Sequence, residues 1–271
     1  SSDSFRNQCS TKWSRIGTIV ESGTAEVYDL ECKRNHNFFA NGILVHNCHN
    51  GIRGDVYGRI LKENTDKVII GFTATPATGA GKGLGAPFQE VIHLTTHEEL
   101  LEGGFLVPPV CYGPRVVDMS GVPIDHKTGD FVQSQAEKRW DKDELHGDLL
   151  RDWRKYADNR PTVCFAQGVE HSKHIAANFN GHGIPAVHID ASTPLDERVR
   201  YYRQLEVGEL KLITNYGVAA YGVDLPFIGC VILARSIGCL TSYLQITGRG
   251  GRSCKSVYWM GGEKKEDFIL V

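Results

Sequence analysis

The stretch TVCFAQGVEHSKHIAANFNGHGIPAVHIDA, residues 162–191, decides the fold class of this chain. It begins and ends with short apolar runs, TVCFAQ and AVHIDA, and between them lies HSKHIAANFN, which predicts a helix. Continuous apolar strands that alternate with helices are typical of a parallel sheet covered on both faces. The stretch therefore predicts a strand, a helix and a second, parallel strand in succession.

The same alternation continues to about residue 258. Two more apolar runs, KLITNY and CVILAR, predict strands, and LDERVRYYRQLEV and LTSYLQITGR predict helices. The fold class expected for this part of the chain is α/β, with a doubly wound parallel sheet.

The chain divides into three segments of different character. Residues 1–47 contain short alternating runs around polar turns, which predict strands and hairpins. Residues 48–107 predict a helix at GDVYGRILKEN, strands at KVIIGFTATP and EVIHLTT, and a helix at HEELLEGG. Residues 108–271 contain the alternating region and open with a linker-like stretch.

The linker-like stretch carries four large apolar side chains at helical spacing. Trp140, Leu145, Leu149 and Trp153 recur as the positions of one helical face do. They predict a single amphipathic helix that uses this face for packing.

The composition bounds the class of protein. A chain of 271 residues with 41% hydrophobic and 23% charged residues is long enough for roughly two domains with their own cores. No apolar run has the length of a membrane span, and the eight cysteines form no Cys-x-x-Cys pair. We expect a cytoplasmic protein with reduced thiols, no membrane contact and no bound structural metal. Because the chain lacks an initiating Met and ends inside the apolar run DFILV, we expect a fragment or a processed piece.

The stretch HNFFANGILVHNCHN contains, between Asn47 and Cys48, a peptide bond that neighbouring side chains can break. The side-chain amide of Asn47 can attack its own main-chain carbonyl and release whatever follows. His46 can donate a proton to the departing group, and the Cys48 thiol can hold an acyl group in transit. His36 and Asp29 lie on preceding strands that a hairpin could bring back to the junction. An ordinary hairpin with an accidental His-Asn-Cys is the alternative interpretation.

The run VYDLEC followed by HNFFANGILVHNC closely resembles the C-terminal splicing block of inteins. This resemblance implies that Asn47 cyclises with help from His46, and that Cys48 is the first extein residue and the nucleophile of transesterification. It also implies that Asp29 and His36 tune these steps. Residues 1–47 lack the N-terminal half of an intein, so splicing would need a partner that carries it.

Three later runs resemble motifs III, V and VI of superfamily 2 helicases. They are Thr73-Ala74-Thr75-Pro76, then ITNYGVAAYGVDLP, then YLQITGRGGR, in this order and at suitable separations. The resemblance implies RecA-like lobes: the end of a first lobe in residues 48–107 and a nearly complete second lobe in residues 108–271. Cys48-His49 would complete an Asp-Glu-Cys-His form of motif II, so the intein would interrupt the ATPase motif of a DNA helicase or translocase.

This resemblance assigns roles around ATP. Arg249 and Arg252, three residues apart, are the candidate arginine fingers for the γ-phosphate. Gln245 would orient or sense the nucleotide, and Asp224, after Gly222, would contact the ribose or brace the arginines. Helix-end cations and an ordinary Gly-x-Asp turn are the alternatives for these residues.

Further residues would couple ATP to DNA. Thr73 and Thr75 would link the ATP site to DNA, Thr214 would contact a DNA phosphate, and His49 would link motif II to the second lobe. GAGKG is not a phosphate loop, because Lys82 is followed by Gly83 where Ser or Thr should hold Mg²⁺.

The cofactors expected are therefore ATP and Mg²⁺, with the phosphate loop and the Asp-Glu pair supplied by an N-terminal intein and helicase half. Two other classes stay open. The chain could be a module that only binds DNA or a partner protein, or it could be a catalytically inert fragment of such a protein.

Overall fold

The computed structural model describes residues 93–271 apart from short internal gaps, and a few strand residues before them. The described part comprises residues 37–40, 43–47, 62, 69–72 and 93–271, without 114–116, 127–128, 158, 219–223 and 255–258. The chain divides into two compact units, and His93 begins the continuous part of the second unit.

Three short strands of the first unit form one sheet. They are β1 (Asn37–Ala40), β2 (Ile43–Asn47) and β3 (Ile69–Phe72). β1 and β2 form an antiparallel hairpin, and β2 also pairs in parallel with β3, so that Asn47 lies opposite Phe72. The strands predicted at ILVHN and within KVIIGFTATP are therefore confirmed.

The second unit is built on a parallel sheet, as predicted. Among the described residues its strands are β4 (Pro109–Cys111), β5 (Thr162–Ala166), β6 (Ala186–Ile189), β7 (Leu212–Asn215), β8 (Cys230–Ala234) and β9 (Phe268–Leu270). Their order is β4-β9-β8-β5-β7-β6, and every pair of neighbours is parallel. The four strands predicted from the apolar runs are all present.

Helices cover this sheet on both faces. The helices described in the second unit are α1 (His97–Glu102), α2 (Gln133–Trp140), α3 (Asp143–Asp152), α4 (Val169–Gly181), α5 (Leu195–Glu206) and α6 (Leu240–Thr247). A π-helical turn, Trp153–Ala157, continues α3, and a 3₁₀ turn, Trp259–Gly261, precedes β9. The helices predicted at HEELLEGG and in the alternating region are confirmed.

The single helix predicted from Trp140 to Trp153 is wrong. The chain leaves the helical conformation at Asp141, whose φ and ψ are −81° and 79°. The Asp141 carboxylate lies 2.8 Å from His174 Nδ1 and 3.2 Å from His146 Nε2, so polar contacts hold the break in place. Trp140 therefore ends α2, whereas Trp153 begins the π-helical turn and is 2% exposed.

Two apolar cores lie on opposite faces of the sheet. Successive residues of β5 alternate between them: Val163 and Phe165 belong to one core, and Cys164 and Ala166 belong to the other. This alternation is the period of two expected for a strand, and burial on both faces is what a continuous apolar run predicts.

The second unit begins earlier than the predicted boundary at residue 107. Val107 is 7% exposed within the core, and its backbone N–H donates to the Gly251 carbonyl at 2.7 Å. Residues 93–107 therefore belong to this unit, to which the backbones of Phe105 and Val107 bond. Among the helices that the structure describes, none has the length and apolarity needed to cross a membrane.

Candidate active site

The two arginines of the TGRGGR run lie in a turn that follows α6. α6 ends at Thr247, and the Gly250 and Gly251 backbone N–H groups donate to Thr247 and Gly248 at 3.1 and 3.3 Å. Residues 248–254, hereafter the arginine loop, are thus a compact turn and not the last turn of the helix. The helix is therefore shorter than the predicted LTSYLQITGR, and it ends before Gly248.

The segment Phe105–Val107 holds the arginine loop from one side. The Val107 N–H donates to the Gly251 carbonyl at 2.7 Å, and the Ser253 N–H donates to the Phe105 carbonyl at 3.2 Å. Two backbone bonds in this antiparallel arrangement fix the path of the loop.

Gly250 lets the arginine loop approach the sheet. A Cβ atom at this position would lie 2.2 Å from Cδ2 of Phe268, a ring that is only 3% exposed. No side chain larger than hydrogen fits without moving the ring or the loop.

Lys265 holds the arginine loop from another side, and the sequence analysis did not single it out. Its Nζ donates to the carbonyls of Gly250 at 2.7 Å, Arg252 at 2.8 Å and Pro226 at 2.9 Å. The residue is 1% exposed, which is rare for a lysine. In the sequence GGEKKEDF, Lys265 resembles an ordinary member of an exposed charged run. The apolar run FILV that follows is the signal that a buried strand begins close by.

The structure brings Arg252 and Asp224 together. An Arg252 guanidinium N–H donates to the Asp224 carboxylate, and the two side chains are 37% and 76% exposed. An exposed pair of this kind contributes about 0–1 kcal/mol to stability. Its effect is to orient the Arg252 guanidinium and to hold it at the surface.

Arg249 and Gln245 are half-buried. Gln245 lies on α6, one turn before the arginine loop. Burial raises the pKa of the Tyr202 hydroxyl, and the charges of Arg198 and Arg249 act against that rise. Arg249 is therefore close enough to α5 for its charge to act there, while Arg252 faces Asp224.

Thr214 does not fit the predicted contact with a DNA phosphate. The residue is fully buried in β7, and its hydroxyl donates to the Ser172 carbonyl at 2.8 Å and accepts from Ser172 Oγ at 3.0 Å. Ser172 Oγ lies 2.6 Å from His188 Nδ1, so the hydroxyl belongs to a buried network between α4, β6 and β7. It is thereby used within the domain and is closed to a ligand in this conformation.

Polar groups at the carboxyl ends of β5 and β8 connect the preceding stretch to the sheet. Gln167 Oε1 accepts from the Ser236 N–H at 2.9 Å. The Asp130 carboxylate accepts from Arg235 Nη2 at 2.5 Å and from the Gly238 N–H at 2.8 Å. Open parallel sheets bind ligands at this edge. Here the side chains of Gln167 and Asp130 hold the loop that follows β8.

Several predicted site residues lie outside the described residues. They are Asp29, His36, Cys48, His49, Thr73, Thr75 and Gly222. His46 and Asn47 are described as backbone, at the end of β2.

Three residues predicted to contact the nucleotide are described here. Gln245 lies on α6, and Arg249 and Arg252 lie in the arginine loop that follows it. Within the described residues, no group of three or more His, Cys, Asp and Glu side chains could hold a metal ion.

Comparison with known families gives a match inside the second unit. Residues 141–254 match the family called Helicase conserved C-terminal domain. The matched range contains β5 to β8 and the arginine loop, and it ends before Lys265 and β9.

Relatives of the chain are found in a phage and in fission yeast. The chain is 30% identical over 210 residues to a "51.5 kDa protein" of Lactococcus phage (isolate 7-9), covering 78% of this chain and 46% of that protein. It is 24% identical over 258 residues to the "Putative mitochondrial ATP-dependent helicase irc3" of Schizosaccharomyces pombe, covering 91% of this chain and 41% of that protein. The chain thus spans less than half the length of these relatives.

A solved structure shares the fold. The chain matches "The fragment structure of a putative HsdR subunit of a type I restriction enzyme from Vibrio vulnificus YJ016" with a TM-score of 0.62 and 18% identity. The match covers 84% of this chain and 43% of that chain. The family match thus supports a helicase C-terminal domain within residues 141–254, and the solved structure shows that the fold is shared.

Replacing Gly250 tests how the arginine loop is held. Gly250→Ala places a methyl group against the Phe268 ring, so we expect a loss of about 1–3 kcal/mol in the free energy of unfolding by denaturant. Gly181→Ala is the matched control, because a Cβ there has no neighbour within 4 Å and alanine favours the helix. Equal stability of the two variants would contradict this packing.

Proposed function

We propose that this chain is the C-terminal portion of a superfamily 2 ATP-dependent DNA helicase or translocase, and that its second lobe supplies Arg249 and Arg252 to ATP. One observation carries the proposal. The arginine loop is fixed to a rigid parallel sheet by bonds on two sides, while the Arg252 side chain stays partly exposed. The family match over residues 141–254 supports it.

The chemistry follows from charge. When the bond to the γ-phosphate breaks, negative charge develops on the phosphoryl oxygens, and guanidinium groups held in place stabilise it. Arg252 is held by Asp224, a weak exposed partner that a phosphate can replace. Gln245 lies on α6, one turn before the arginine loop.

DNA is the proposed nucleic-acid substrate along which the protein moves. The helicase family match and the helicase relative of fission yeast support binding of a nucleic acid, and the choice of DNA rests on the sequence resemblance. Thr73, Thr75 and His49 remain the proposed links between ATP and DNA. Thr214 is left out, because its hydroxyl is buried and bonded within the domain.

Splicing is the second part of the proposal. Asn47 Nδ2 attacks the Asn47 carbonyl carbon, the bond to the Cys48 nitrogen breaks, and the proton lost by Nδ2 ends on that nitrogen. His46 assists the departing amine, Asp29 and His36 tune the steps, and the Cys48 thiol carries the acyl group beforehand. The support is the resemblance to the splicing block, and the position of Asn47 at the end of β2.

The pairing of β2 favours a second candidate function. β2 pairs in parallel with β3, the strand that leads into Thr73, so Ile43–Asn47 lies in the same sheet as helicase-like sequence. If Cys48-His49 is the second half of motif II, His46-Asn47 would take the place of its acidic pair. Such a lobe would lack carboxylates for Mg²⁺, and the chain would be an inert fragment that binds DNA or a partner.

The joined protein, in which this chain follows a half with a phosphate loop and an Asp-Glu pair, tests the arginines. We expect Arg249→Ala and Arg252→Ala each to lower kcat for ATP hydrolysis by about 10³-fold or more, because charge at the γ-phosphate goes uncompensated. Arg203→Ala is the control, since Arg203 lies on α5 and pairs with Glu206. Unchanged turnover in both loop variants would contradict the proposed role.

The intact mass of the purified chain after incubation with a reducing agent tests the splicing chemistry. We expect the natural chain to lose its first 47 residues, and Asn47→Ala to keep them, because cyclisation needs the side-chain amide. Asn41→Ala is the control, because it removes a neighbouring Asn and keeps the junction. An unchanged mass of the natural chain even after the N-terminal intein half is added would contradict cyclisation at Asn47 and favour the inert fragment.

A further inference from the structure

Lys265 is the most deeply buried charged side chain among the described residues. It is 1% exposed, and its Nζ donates to three main-chain carbonyls, at 2.7, 2.8 and 2.9 Å. An ammonium group has three N–H donors, and all three are used here. Because an unpaired buried charge costs several kcal/mol, a lysine in this position needs such a complete set of acceptors.

The three carbonyls belong to two separate loops. Gly250 and Arg252 are in the arginine loop, and Pro226 is in the loop that begins with Asp224 and leads into β8. The side chains of Arg252 and Asp224, one from each of these loops, bond to each other. One ammonium group thus fixes the backbones of the two loops whose side chains meet at the surface.

Lys265 lies close to a strand with neighbours on both sides, and this position supports its contacts with the two loops. It lies just before β9, which pairs with β4 on one side and with β8 on the other. The neighbouring Lys264 is exposed, so the burial is specific to one of two adjacent lysines. A side chain anchored next to a central strand can hold a surface loop in a single position.

We propose that Lys265 is a positioning residue that sets the geometry of Arg252 relative to Asp224. It acts through the carbonyls of Gly250, Arg252 and Pro226 and does not touch the nucleotide. The inference rests on the proposed function, because the arginine loop is taken to act on ATP. It adds a determinant that lies beyond the matched domain of residues 141–254.

Burial opposes the charge on Lys265, and the three carbonyls offset this cost. Burial lowers the pKa of Lys265; the charges of Arg160 and Arg252 also lower it, while Cys254 and Asp267 raise it. The three carbonyl acceptors favour the protonated form, which alone has three donors.

Amide hydrogen exchange of the purified chain tests this role of Lys265 without ATP. The N–H groups of Gly250, Gly251 and Ser253 are hydrogen-bonded and report opening of the arginine loop. We expect Lys265→Met to speed their exchange about tenfold or more, because three hydrogen bonds are lost. Lys264→Met is the matched control and should leave their exchange unchanged. Equal exchange in the two variants would overturn the proposal.

Lys265→Arg provides a second arm in case Lys265→Met does not fold, because it keeps the positive charge and N–H donors for the same carbonyls. We expect exchange of these amides to be slower in Lys265→Arg than in Lys265→Gln, which loses the charge. Equal exchange in these two variants would overturn the proposal.

The joined protein tests whether Lys265 acts through Arg252. We expect Lys265→Met to lower kcat for ATP by about ten- to a hundredfold, as a displaced catalytic group does, with a smaller change in KM. In an Arg252→Ala background the same substitution should cost little, because coupled residues are not additive. A full loss in that background would overturn the proposal. Absence of turnover in the natural joined protein would instead contradict the proposed function and leave the exchange result to decide on Lys265.

Discussion

Burial of both faces of the parallel sheet is the constraint on which the rest of the second unit depends. The side chains of β5 alternate between two apolar cores, and β7 is buried along its whole length. A polar group in these strands must therefore find its partner inside the domain. Thr214 does so through Ser172. Lys265, which lies just before β9, is buried in the same way and bonds to three carbonyls. Groups that can meet a ligand are confined to the loops after the strands and after α6.

The arginine loop shows how such a loop is made rigid. The matched helicase domain spans residues 141–254, but the contacts that fix the loop come largely from outside it. Phe105–Val107 precedes the match, while Lys265 and Phe268 follow it. β4 and β9, which extend the sheet on the side of β8, also lie outside. The flanking segments therefore complete the domain, and placing a guanidinium at an exposed surface depends on them. Rigid support of this kind is what charge stabilisation in a transition state requires.

The sequence predicted the sheet well, because continuous apolar runs are a strong signal for strands buried on both faces. The break at Asp141 was missed, because Trp140 and Trp153 keep helical spacing across it and only the histidines that contact Asp141 stop the helix. Thr214 was assigned to a ligand because it lies near the end of a strand, where binding residues often occur. In the structure its side chain is fully buried. Lys265 could not be found, since adjacent lysines look alike until the three-dimensional structure buries one of them. The assignments of Cys48 and Thr73 lie outside the described residues and remain predictions.

The central claim is a division of labour, in which this chain contributes the arginines and another half contributes the phosphate loop and the acid pair. The described residues place Arg252 at the surface beside Asp224, which is the part of the claim that the structure addresses. ATP hydrolysis by the purified chain, measured beside the joined protein, tests the claim most directly. The account predicts no turnover above background for the chain alone and DNA-stimulated turnover after joining. Hydrolysis by the chain alone at the rate of the joined protein would contradict it.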